Sequence, residues 1–533
     1  MTRLVRAAGA ISAFTLLSRI LGLWRDRLMA QTLGAGWVQG TFLIAWTLPN
    51  LMRRLLGEGA LSASLVPAYA KLRRTEPAAA KALLAEVTGT VITLLTPLCL
   101  LVAGLSLLVP PEWLPAPEVG GVPAMRLLLA LNAVLFAYAL PVCLTAVFAG
   151  ALNTLGSFAL PAAVPIVLNA FWIAALLLCG PLGITVDVEI ANFAAWCLAA
   201  GGVAQLVLVV LPLWRRGELL RPRLGLPKRG TAAFGVFVAM GPTVLGMSLN
   251  QVSSLLDQLM AYYLVSPGAV TYVYLANRLL LFPHALTAMS VAVAVFPKLA
   301  HEAGDVDRVQ MRRTLDLAAA ATILVTLPAA CGLIVLGDDV VRVLFEGGRF
   351  TEADVWPTVL TSSCLVAGLP FLGLAQLYAR AFYAIGDTGT PARLAAKLVL
   401  ANAALNVVLV LTTGLGTAAL TLSSSLSALA NAAVLAWRFR THAPAAHDLG
   451  GAWLRSIVAT GAMCALLPFL RLVPPDGRLL ARAFGNVAFP IVAGIAVYVL
   501  VHWLLRSPEL AALRRRRRPG DANGTNGGTA AGA

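Results

Sequence analysis

Long apolar stretches separated by short polar segments dominate the pattern of the chain. A helix needs about 20 apolar residues to cross roughly 30 Å of hydrocarbon, and about fourteen stretches reach that length. They lie near residues 10–33, 38–70, 82–109, 124–151, 158–180, 189–213, 231–263, 270–297, 313–336, 356–385, 391–412, 416–438, 452–471 and 484–505. The pattern predicts an all-α polytopic membrane protein with about 14 transmembrane helices.

The basic residues of the loops predict how these helices are oriented. Loops 34–37, 110–123, 181–188 and 264–269 contain no Lys or Arg. The loops after the second and sixth stretches are basic, with Lys71, Arg73, Arg74, Lys81, Arg215, Arg216, Arg221, Arg223, Lys228 and Arg229. Because cytoplasmic loops carry the excess of Lys and Arg, both termini are predicted to be cytoplasmic, as in a multi-pass protein of the bacterial inner membrane.

Composition supports the membrane interpretation and narrows the class of function. The 533 residues are 59% hydrophobic and 12% charged, against about 25% charged in soluble domains. The net charge of +16 would suggest nucleic acid binding in a soluble protein, but membrane orientation explains it here, and we expect no nucleic-acid partner. The sequence contains no GxxxxGK[ST], HExxH or GxSxG motif, so we expect a transporter and not an enzyme.

An internal similarity predicts two related halves. The segment ALNTLGSFALPA from Ala151 aligns without gaps on AFYAIGDTGTPA from Ala381, and Trp214-Arg215 matches Trp437-Arg438 at a nearby offset. Two units of equal orientation would form two pseudo-symmetric six-helix lobes, related by an axis along the membrane normal, with the substrate between them. Two further helices would follow at the C-terminal end.

The predicted organisation has four parts. An N-terminal lobe covers residues 1–225, a C-terminal lobe covers 226–445, and helices 13 and 14 cover 446–506. The tail, 507–533, begins with the basic run 514–518, which is expected to lie on anionic lipid headgroups. The rest of the tail is rich in Gly, Ala and Asn and is expected to be disordered.

Charged residues inside the apolar stretches indicate where the chemistry lies. A cation near the bilayer centre costs roughly 3 kcal/mol, so such residues usually face a wet cavity or a partner. The first stretch carries Arg19, Arg25 and Asp26, and the eighth carries Arg278. Snorkelling to the headgroups is the alternative for Arg19 and Arg25, although their mid-span depth disfavours it for at least one of them.

The second stretch carries Arg53, Arg54 and Glu58. Arg54 and Glu58 are four residues apart, so a salt bridge within the helix is one explanation for that pair. Arg53 points about 100° away from Arg54 and is the better candidate ligand. Planar guanidinium groups pair bidentately with phosphate oxygens, so arginines converging on one cleft would suit a diphosphate.

A second polar group lies on the seventh and eleventh stretches. Asp257 is a lone acid in an apolar helix, and Asn402 and Asn406 share one face of theirs. Together these oxygens are a ligand set for a monovalent cation such as Na⁺, if the helices touch. Hydrogen bonds between polar side chains of neighbouring helices explain the same residues equally well.

Five segments resemble one known family. SRILGLWRD, LGAG, LPNLMRRLLGEGALSASLVP, YLANRLLLFP and RAFYAIGDTGTP are similar to segments of the MurJ (MviN) lipid II flippases. That family belongs to the multidrug/oligosaccharidyl-lipid/polysaccharide exporter superfamily. The resemblance covers residues 1 to about 506. Two positions depart from the family pattern: LGAG is followed by WVQGT (37–41) where an acid is common, and some relatives would carry an acid at Asn406.

The resemblance implies a fold and a function. It implies fourteen helices, with the last two forming a groove for a lipid tail, and it places substrate-binding roles on Arg19, Arg25, Arg53 and Arg278, accompanied by Asp26 and Glu58. The substrate would be lipid II, the undecaprenyl-diphosphate-linked peptidoglycan precursor, moved from the cytoplasmic to the periplasmic leaflet by alternating access. Expected partners are membrane lipids and proteins of cell-wall synthesis or division.

Three alternatives remain open at this point. The chain would otherwise be a flippase for another polyprenyl-linked glycan, a cation-coupled drug exporter, or a membrane scaffold for cell-wall enzymes. A drug exporter would favour acids and aromatic residues in its cavity, and a scaffold would need larger inner loops than the sequence has.

Overall fold

The computed structural model describes residues 2–54, 61–286, 288–304, 308–442, 449–474 and 479–508. Within these ranges the regular structure is helical, with one isolated β-bridge between Gly347 and Phe350. The α-helices are α1 (Thr2–Leu33), α2 (Trp37–Met52), α3 (Leu61–Thr75), α4 (Pro77–Leu108), α5 (Gly121–Leu135), α6 (Ala139–Thr154), α7 (Ala159–Cys179), α8 (Asp187–Arg215), α9 (Ala232–Met260), α10 (Ala269–Leu286), α11 (Ala288–Glu302), α12 (Val309–Val335), α13 (Gly337–Phe345), α14 (Glu352–Val366), α15 (Leu369–Ala384), α16 (Gly389–Thr413), α17 (Thr417–Phe439), α18 (Leu449–Leu466), α19 (Leu479–Arg482) and α20 (Phe489–Leu504).

The predicted polytopic helical fold is confirmed. Among the described residues, ten helices or joined helix pairs are long and apolar enough to cross a membrane, and α10 with α11 makes eleven if that bent pair is one span. The count of fourteen stays a prediction. The described parts of the predicted stretch 38–70 form α2 and α3, and residues 55–60 between them, which include Glu58, lie outside the described part of the chain.

The helices group into two compact units. The first consists of residues 1–276, 344–361 and 395–423, and the second of residues 277–343, 362–394 and 424–533. These units are defined by packing, and the predicted lobe boundary at residue 225 stays a prediction. Each unit has its own apolar core.

Aromatic rings form the centre of the first unit. The Trp46 ring of α2 lies 5.3 Å from the Trp172 ring of α7 and 5.1 Å from the Tyr138 ring, and Phe42 lies 5.6 Å from Trp172. Tilted and edge-on ring pairs at such distances add to the stability gained from burying the rings. This cluster holds α2 against α7 and provides the surface on which Arg25 of α1 rests.

A buried ion pair lies in the core of the second unit. Arg312 and Asp316 of α12 are one helical turn apart, 2.9 Å between Nε and Oδ1, and both side chains are almost fully buried. The Arg312 guanidinium also faces the ring of Phe439 at 5.9 Å, and Phe382 packs edge-on against that ring. The arginine thus links α12 to the end of α17.

The sequence repeat corresponds to a repeated turn. Gly156 and Gly386 both end a helix in the left-handed region, with φ of 76° and 83°. In each turn the amide of the next residue, Ser157 or Asp387, donates five residues back, to Leu152 O or Phe382 O. This is the Schellman pattern of helix ends, where glycine avoids the steric cost of positive φ. The next helix begins three residues after the glycine in both copies, so the aligned segments have the same local structure.

The first half of the connector between α8 and α9, residues 216–231, is fixed along α4. The Arg223 amide donates to Ala85 O at 3.1 Å, and Gly225 exchanges hydrogen bonds with the Thr90 and Thr93 hydroxyl groups. Any Cβ at Gly89 would collide with the carbonyl of Arg223, so the two backbones touch there. The first half of the connector is therefore part of the packed structure.

Candidate functional site

The first helix positions a buried charged cluster through its middle. Arg25 and Asp26 of α1 are 7% and 3% exposed, although the helix face before them is largely exposed. Arg25 Nη2 and Nε donate to Asp26 Oδ1 at 2.6 and 2.9 Å. Because a buried charge without a partner is costly, the two residues stabilise each other in this position.

Three further side chains complete this Arg25 cluster. Arg25 Nη1 donates to Asn169 Oδ1 at 2.9 Å, and Nη2 donates to the Tyr274 hydroxyl at 3.0 Å. The Tyr274 hydroxyl donates in turn to Asp26 Oδ1 at 2.7 Å. The guanidinium carbon lies 4.5 Å from the centre of the Trp172 ring, within the range of a cation–π contact.

The cluster leaves the guanidinium with little free hydrogen-bonding capacity. A guanidinium has five N–H groups, and the four bonds to Asp26, Asn169 and Tyr274 use four of them. One N–H on Nη1 has no acceptor among the described residues. An anion reaching Arg25 would find its positive charge and that single donor, and closer pairing would require Asp26 or Tyr274 to give up a bond.

The structure places the other predicted ligands differently. Arg19 is exposed on α1, about 9 Å from Arg25 by helical rise, as expected for a residue two turns away. Arg53 is half-buried, and its Nε donates to Asn50 Oδ1 at 3.1 Å within the same helical turn. Arg278 lies on α10 in the second unit and is half-buried. Convergence of the four arginines on one cleft therefore stays a prediction.

The second helix ends near Arg53 and Arg54 in a wider, π-type turn. Such a turn is a common cause of a bend and often marks a functional position. Arg54 is exposed, and its Nη1 lies 3.4 Å from Gln251 Oε1. Since Glu58 lies outside the described residues, its predicted salt bridge with Arg54 and its predicted role beside the arginines are left as predictions.

The second predicted group does come together within the first unit. Asn402 Nδ2 and Asn406 Nδ2 donate to Asp257 Oδ1 at 3.1 and 2.7 Å, and the Ser423 hydroxyl donates to Asn402 Oδ1 at 2.8 Å. The contact between the seventh and eleventh predicted helices, on which the cation hypothesis depended, is present. With both amide nitrogens facing the carboxylate, the arrangement is that of an interhelical hydrogen-bond cluster.

Oxygen ligands for a cation are available in this cluster only if the amide groups turn over. The Asn406 Oδ1 atom is fully buried and has no hydrogen-bond partner among the described residues. Rotation of the two amide groups would bring their oxygens to the Asp257 carboxylate, where they would repel it unless a cation lay between them. The residue types therefore fit a monovalent cation, in an orientation opposite to the one observed.

Main-chain contacts close one end of the first unit, which we call the closed end. The Arg349 amide donates to Gln31 O at 2.8 Å, and Gln31 Nε2 donates to Glu346 O at 2.9 Å. Arg349 also forms an ion pair with Asp187. A Cβ at Gly348 would collide with the carbonyl of Gln31, which requires glycine there.

Two more turns meet at the closed end. A Cβ at Gly40 would collide with the carbonyl of Pro267, and one at Gly268 would collide with the carbonyl of Ala35. These turns lie in or beside loops 34–37 and 264–269, which the distribution of basic residues predicts to be outside. The contacts therefore close the predicted periplasmic end of this unit.

Sequence reasoning missed Asn169, Tyr274 and Trp172 as partners of Arg25. Asn169 was detectable, because it is the lone polar side chain in the apolar helix α7. Tyr274 and Trp172 gave no such signal, since aromatic residues in a membrane helix are usual and their facing direction depends on packing.

Comparison with known proteins identifies relatives across most of the chain. Residues 29–472 match the family model "Lipid II flippase MurJ". The "Lipid II flippase MurJ" of Burkholderia cenocepacia is 30% identical over 443 residues, 81% of this chain and 83% of the relative. The "Probable lipid II flippase MurJ" of Vibrio cholerae serotype O1 is 29% identical over 442 residues, 81% of this chain and 82% of the relative.

Solved structures with the same fold include two transporters. A structure titled "Lipid II flippase MurJ, inward closed conformation" superposes with a TM-score of 0.75 at 22% identity, over 93% of this chain and 98% of that one. An inward-facing multidrug resistance MATE family transporter of the MOP superfamily has a TM-score of 0.61 at 14% identity, over 82% and 98% of the two chains. At these identities the likeness shows the fold alone.

Proposed function

Because this chain belongs to the lipid II flippase MurJ family, we propose that it carries lipid II across the bacterial inner membrane from the cytoplasmic to the periplasmic leaflet. The match covers most of the chain, and the relatives are covered over more than four fifths of their length. The family is one of transporters, so the protein moves its substrate without a catalytic step.

The observation that carries the proposal is a buried arginine at mid-depth in the first helix. Arg25 lies about 12 Å along the helix from Leu33, the last residue of α1. Its positive charge is the right sign for a diphosphate, and its guanidinium has the shape to pair with phosphate oxygens. Arg19 lies further from the closed end on the same helix, exposed, and would meet the anion first.

Exchange of partners at Arg25 would couple substrate binding to the helices around it. Arg25 connects α1 to Asn169 of α7 and Tyr274 of α10. A diphosphate competing for the guanidinium would weaken these links, and their recovery after release would restore the original packing. A ligand shifts a conformational equilibrium only through such a difference in contacts between the two states.

In an alternating-access cycle, the closed end would belong to the conformation that is closed toward the periplasm. In this structure the predicted periplasmic turns are packed backbone to backbone, so the substrate would enter from the cytoplasmic side. Translocation would then require these turns to separate. The prenyl tail would stay in lipid or along α18 and α20, the helices predicted to form a groove. Both termini would lie in the cytoplasm.

Growth of cells depleted of their own flippase tests the proposal. We expect the wild-type chain to restore growth and to expose lipid II on the periplasmic side, and we expect Arg25→Gln to fail in both assays. Arg19→Gln, Arg53→Gln and Arg278→Gln test the remaining predicted ligands one at a time. Arg126→Gln changes an exposed arginine near the start of α5; this variant is the control and should behave as wild type.

The same assays separate the alternatives. Restored growth with unchanged lipid II exposure would favour a scaffold role. Exposure of another polyprenyl-linked glycan would favour a flippase for that glycan. Drug resistance without lipid II exposure would favour a cation-coupled drug exporter. If all four arginine variants retain full activity, the substrate-binding assignment is wrong even if the family function holds.

Asp257, Asn402 and Asn406 would supply a coupling cation site in this transport cycle. Cation binding would turn the amide oxygens toward the carboxylate and replace the two observed N–H bonds. We expect Na⁺ to raise the melting temperature of the purified wild-type protein above the value in K⁺, and we expect Asp257→Asn to remove that difference. An equal response of the variant and the wild type to Na⁺ would mean that the cluster is only structural. Contact with cell-wall synthesis or division proteins stays a prediction.

A further inference from the structure

A groove between α7 and α8 opens on the surface of the first unit. It has a volume of about 610 Å³, and its wall is almost entirely apolar, with Val167, Val207, Leu208 and Leu211 among the lining side chains. At one end it reaches Arg215 and Arg216, at the end of α8. An apolar channel that ends at two cations has the chemistry of a lipid, an acyl chain joined to an anionic headgroup.

The length of the groove matches one leaflet. On α8 it extends from Ala204 to Arg215, eleven residues and therefore about 16 Å of helix. Half of a hydrocarbon core of roughly 30 Å is about 15 Å. Trp214, next to the arginines, is 66% exposed, as is typical of a residue at the membrane interface.

The two arginines have no acidic partner among the described residues. Glu218 is the nearest acid in sequence, and it pairs with Arg73 at 2.6 Å and with Lys81 at 3.9 Å. Gly217, with a φ of 63°, directly follows Arg216 at the end of the helix. Both arginines are exposed. Their charge is therefore available to a ligand, in addition to any favourable effect on the end of the helix.

The other copy of the sequence repeat has a pocket in the matching place. In the second unit a pocket of about 400 Å³ lies between Thr390 at the start of α16 and Trp437, Arg438, Arg440 and His442 at the end of α17. Trp437-Arg438 is the match of Trp214-Arg215 in the repeat. In both copies a cavity lined by basic residues therefore lies near the end of the second helix after the glycine turn. That helix is α8 in the first copy and α17 in the second.

We propose that the groove between α7 and α8 binds an anionic phospholipid of the cytoplasmic leaflet, with an acyl chain along Val167, Leu208 and Leu211 and the headgroup phosphate at Arg215 and Arg216. None of the residues that line the groove belongs to the Arg25 cluster, and the proposal does not depend on the transported substrate. Basic pockets between helices on the cytoplasmic side are known recognition sites for acidic headgroups.

Native mass spectrometry of the purified full-length protein tests this site. The probes are phosphatidylglycerol, phosphatidylethanolamine with the same chains, and inorganic phosphate. We expect the wild type to retain phosphatidylglycerol in preference to phosphatidylethanolamine. The double variant R215Q/R216Q should lose about 30-fold in phosphatidylglycerol retention, which is about 2 kcal/mol for two basic residues.

Three further variants distinguish the contribution of the headgroup from that of the apolar groove. R221Q/R229Q removes the same charge from two exposed side chains of the connector and should leave lipid retention unchanged. In L208W the larger side chain occupies part of the apolar groove, so this variant should retain less of both lipids although the arginines remain. R215K/R216K keeps the charge and should stay within about threefold of the wild type, which also controls for misfolding of the glutamine variant.

Four results would overturn the proposal. They are equal retention of the two lipids by the wild type, an equal loss in R221Q/R229Q, unchanged retention in L208W, and displacement of phosphatidylglycerol by inorganic phosphate at the same concentration. The last result would identify a free-anion site in place of a lipid site.

Discussion

Exchanging the charges of Arg25 and Asp26 for neutral amides, singly and together, gives the sharpest test of the buried cluster. The side chains are 9% and 4% exposed and lie 2.6 Å apart. Arg25→Gln leaves the Asp26 carboxylate without its cation, and Asp26→Asn leaves the guanidinium without its counter-charge. Removing one partner of a buried pair typically costs about 3–5 kcal/mol, because an uncompensated charge remains buried.

The double variant R25Q/D26N leaves no charge in the Arg25 cluster, so it should be at least as stable as the less stable single variant. The expected coupling energy is about 3 kcal/mol, the upper end of the range for residues in contact. Unfolding in detergent micelles titrated with sodium dodecyl sulfate measures the free energies. The exposed pair Arg126 and Glu112, 3.8 Å apart, is the matched control, and its coupling should be under about 1 kcal/mol.

The same double variant separates folding from transport. It should be folded and present in the membrane, yet unable to restore growth, because the charge that meets the diphosphate is gone. Additive losses of stability in the cycle would refute the account of the buried pair. Growth supported by the folded double variant would refute the role of Arg25 in binding the substrate.

The remaining predictions concern turns and topology. Gly348→Ala should destabilise the protein and abolish growth, because the new Cβ collides with the carbonyl of Gln31. Gly183→Ala has the same kind of backbone, with φ at 71°, but open space around it, so it should lower the free energy of unfolding by only about 1 kcal/mol. Melting curves of the two variants measure this difference. The Thr390 hydroxyl hydrogen bond lowers the pKa of the Asp387 carboxyl, so Asp387→Asn should lower the melting temperature at pH 7, with a difference from wild type that shrinks only below about pH 4. In a cysteine-free background, Gly183→Cys should react with an impermeant maleimide added to whole cells and Lys228→Cys should not; the reverse result would invert the predicted topology.

Local patterns allowed the sequence to predict helices, turns and some pairings. The twelve-residue match predicted two related halves, and the aligned glycines Gly156 and Gly386 adopt the same left-handed conformation, because the steric cost of positive φ is a local property. The pairing of Asp257 with Asn402 and Asn406 was also predicted from sequence, because polar side chains in apolar membrane helices commonly form hydrogen bonds with each other between helices.

The partners of Arg25 required the folded structure. A periodic pattern gives the face of a helix but not the neighbour that the face meets, so Tyr274 was not predicted as the third member of the cluster. The orientation of the amides of Asn402 and Asn406 is likewise set by the groups around them.

The fixed connector between α8 and α9 limits how far the following helix can travel. Its chain is held to α4 as far as Gly225, and α9 begins at Ala232, so only residues 226–231 are available as a tether. Six residues span at most about 20 Å when fully extended. That length is an upper limit on the distance of the start of α9 from Gly225, and a larger separation would first require the hydrogen bonds between Gly225 and α4 to break.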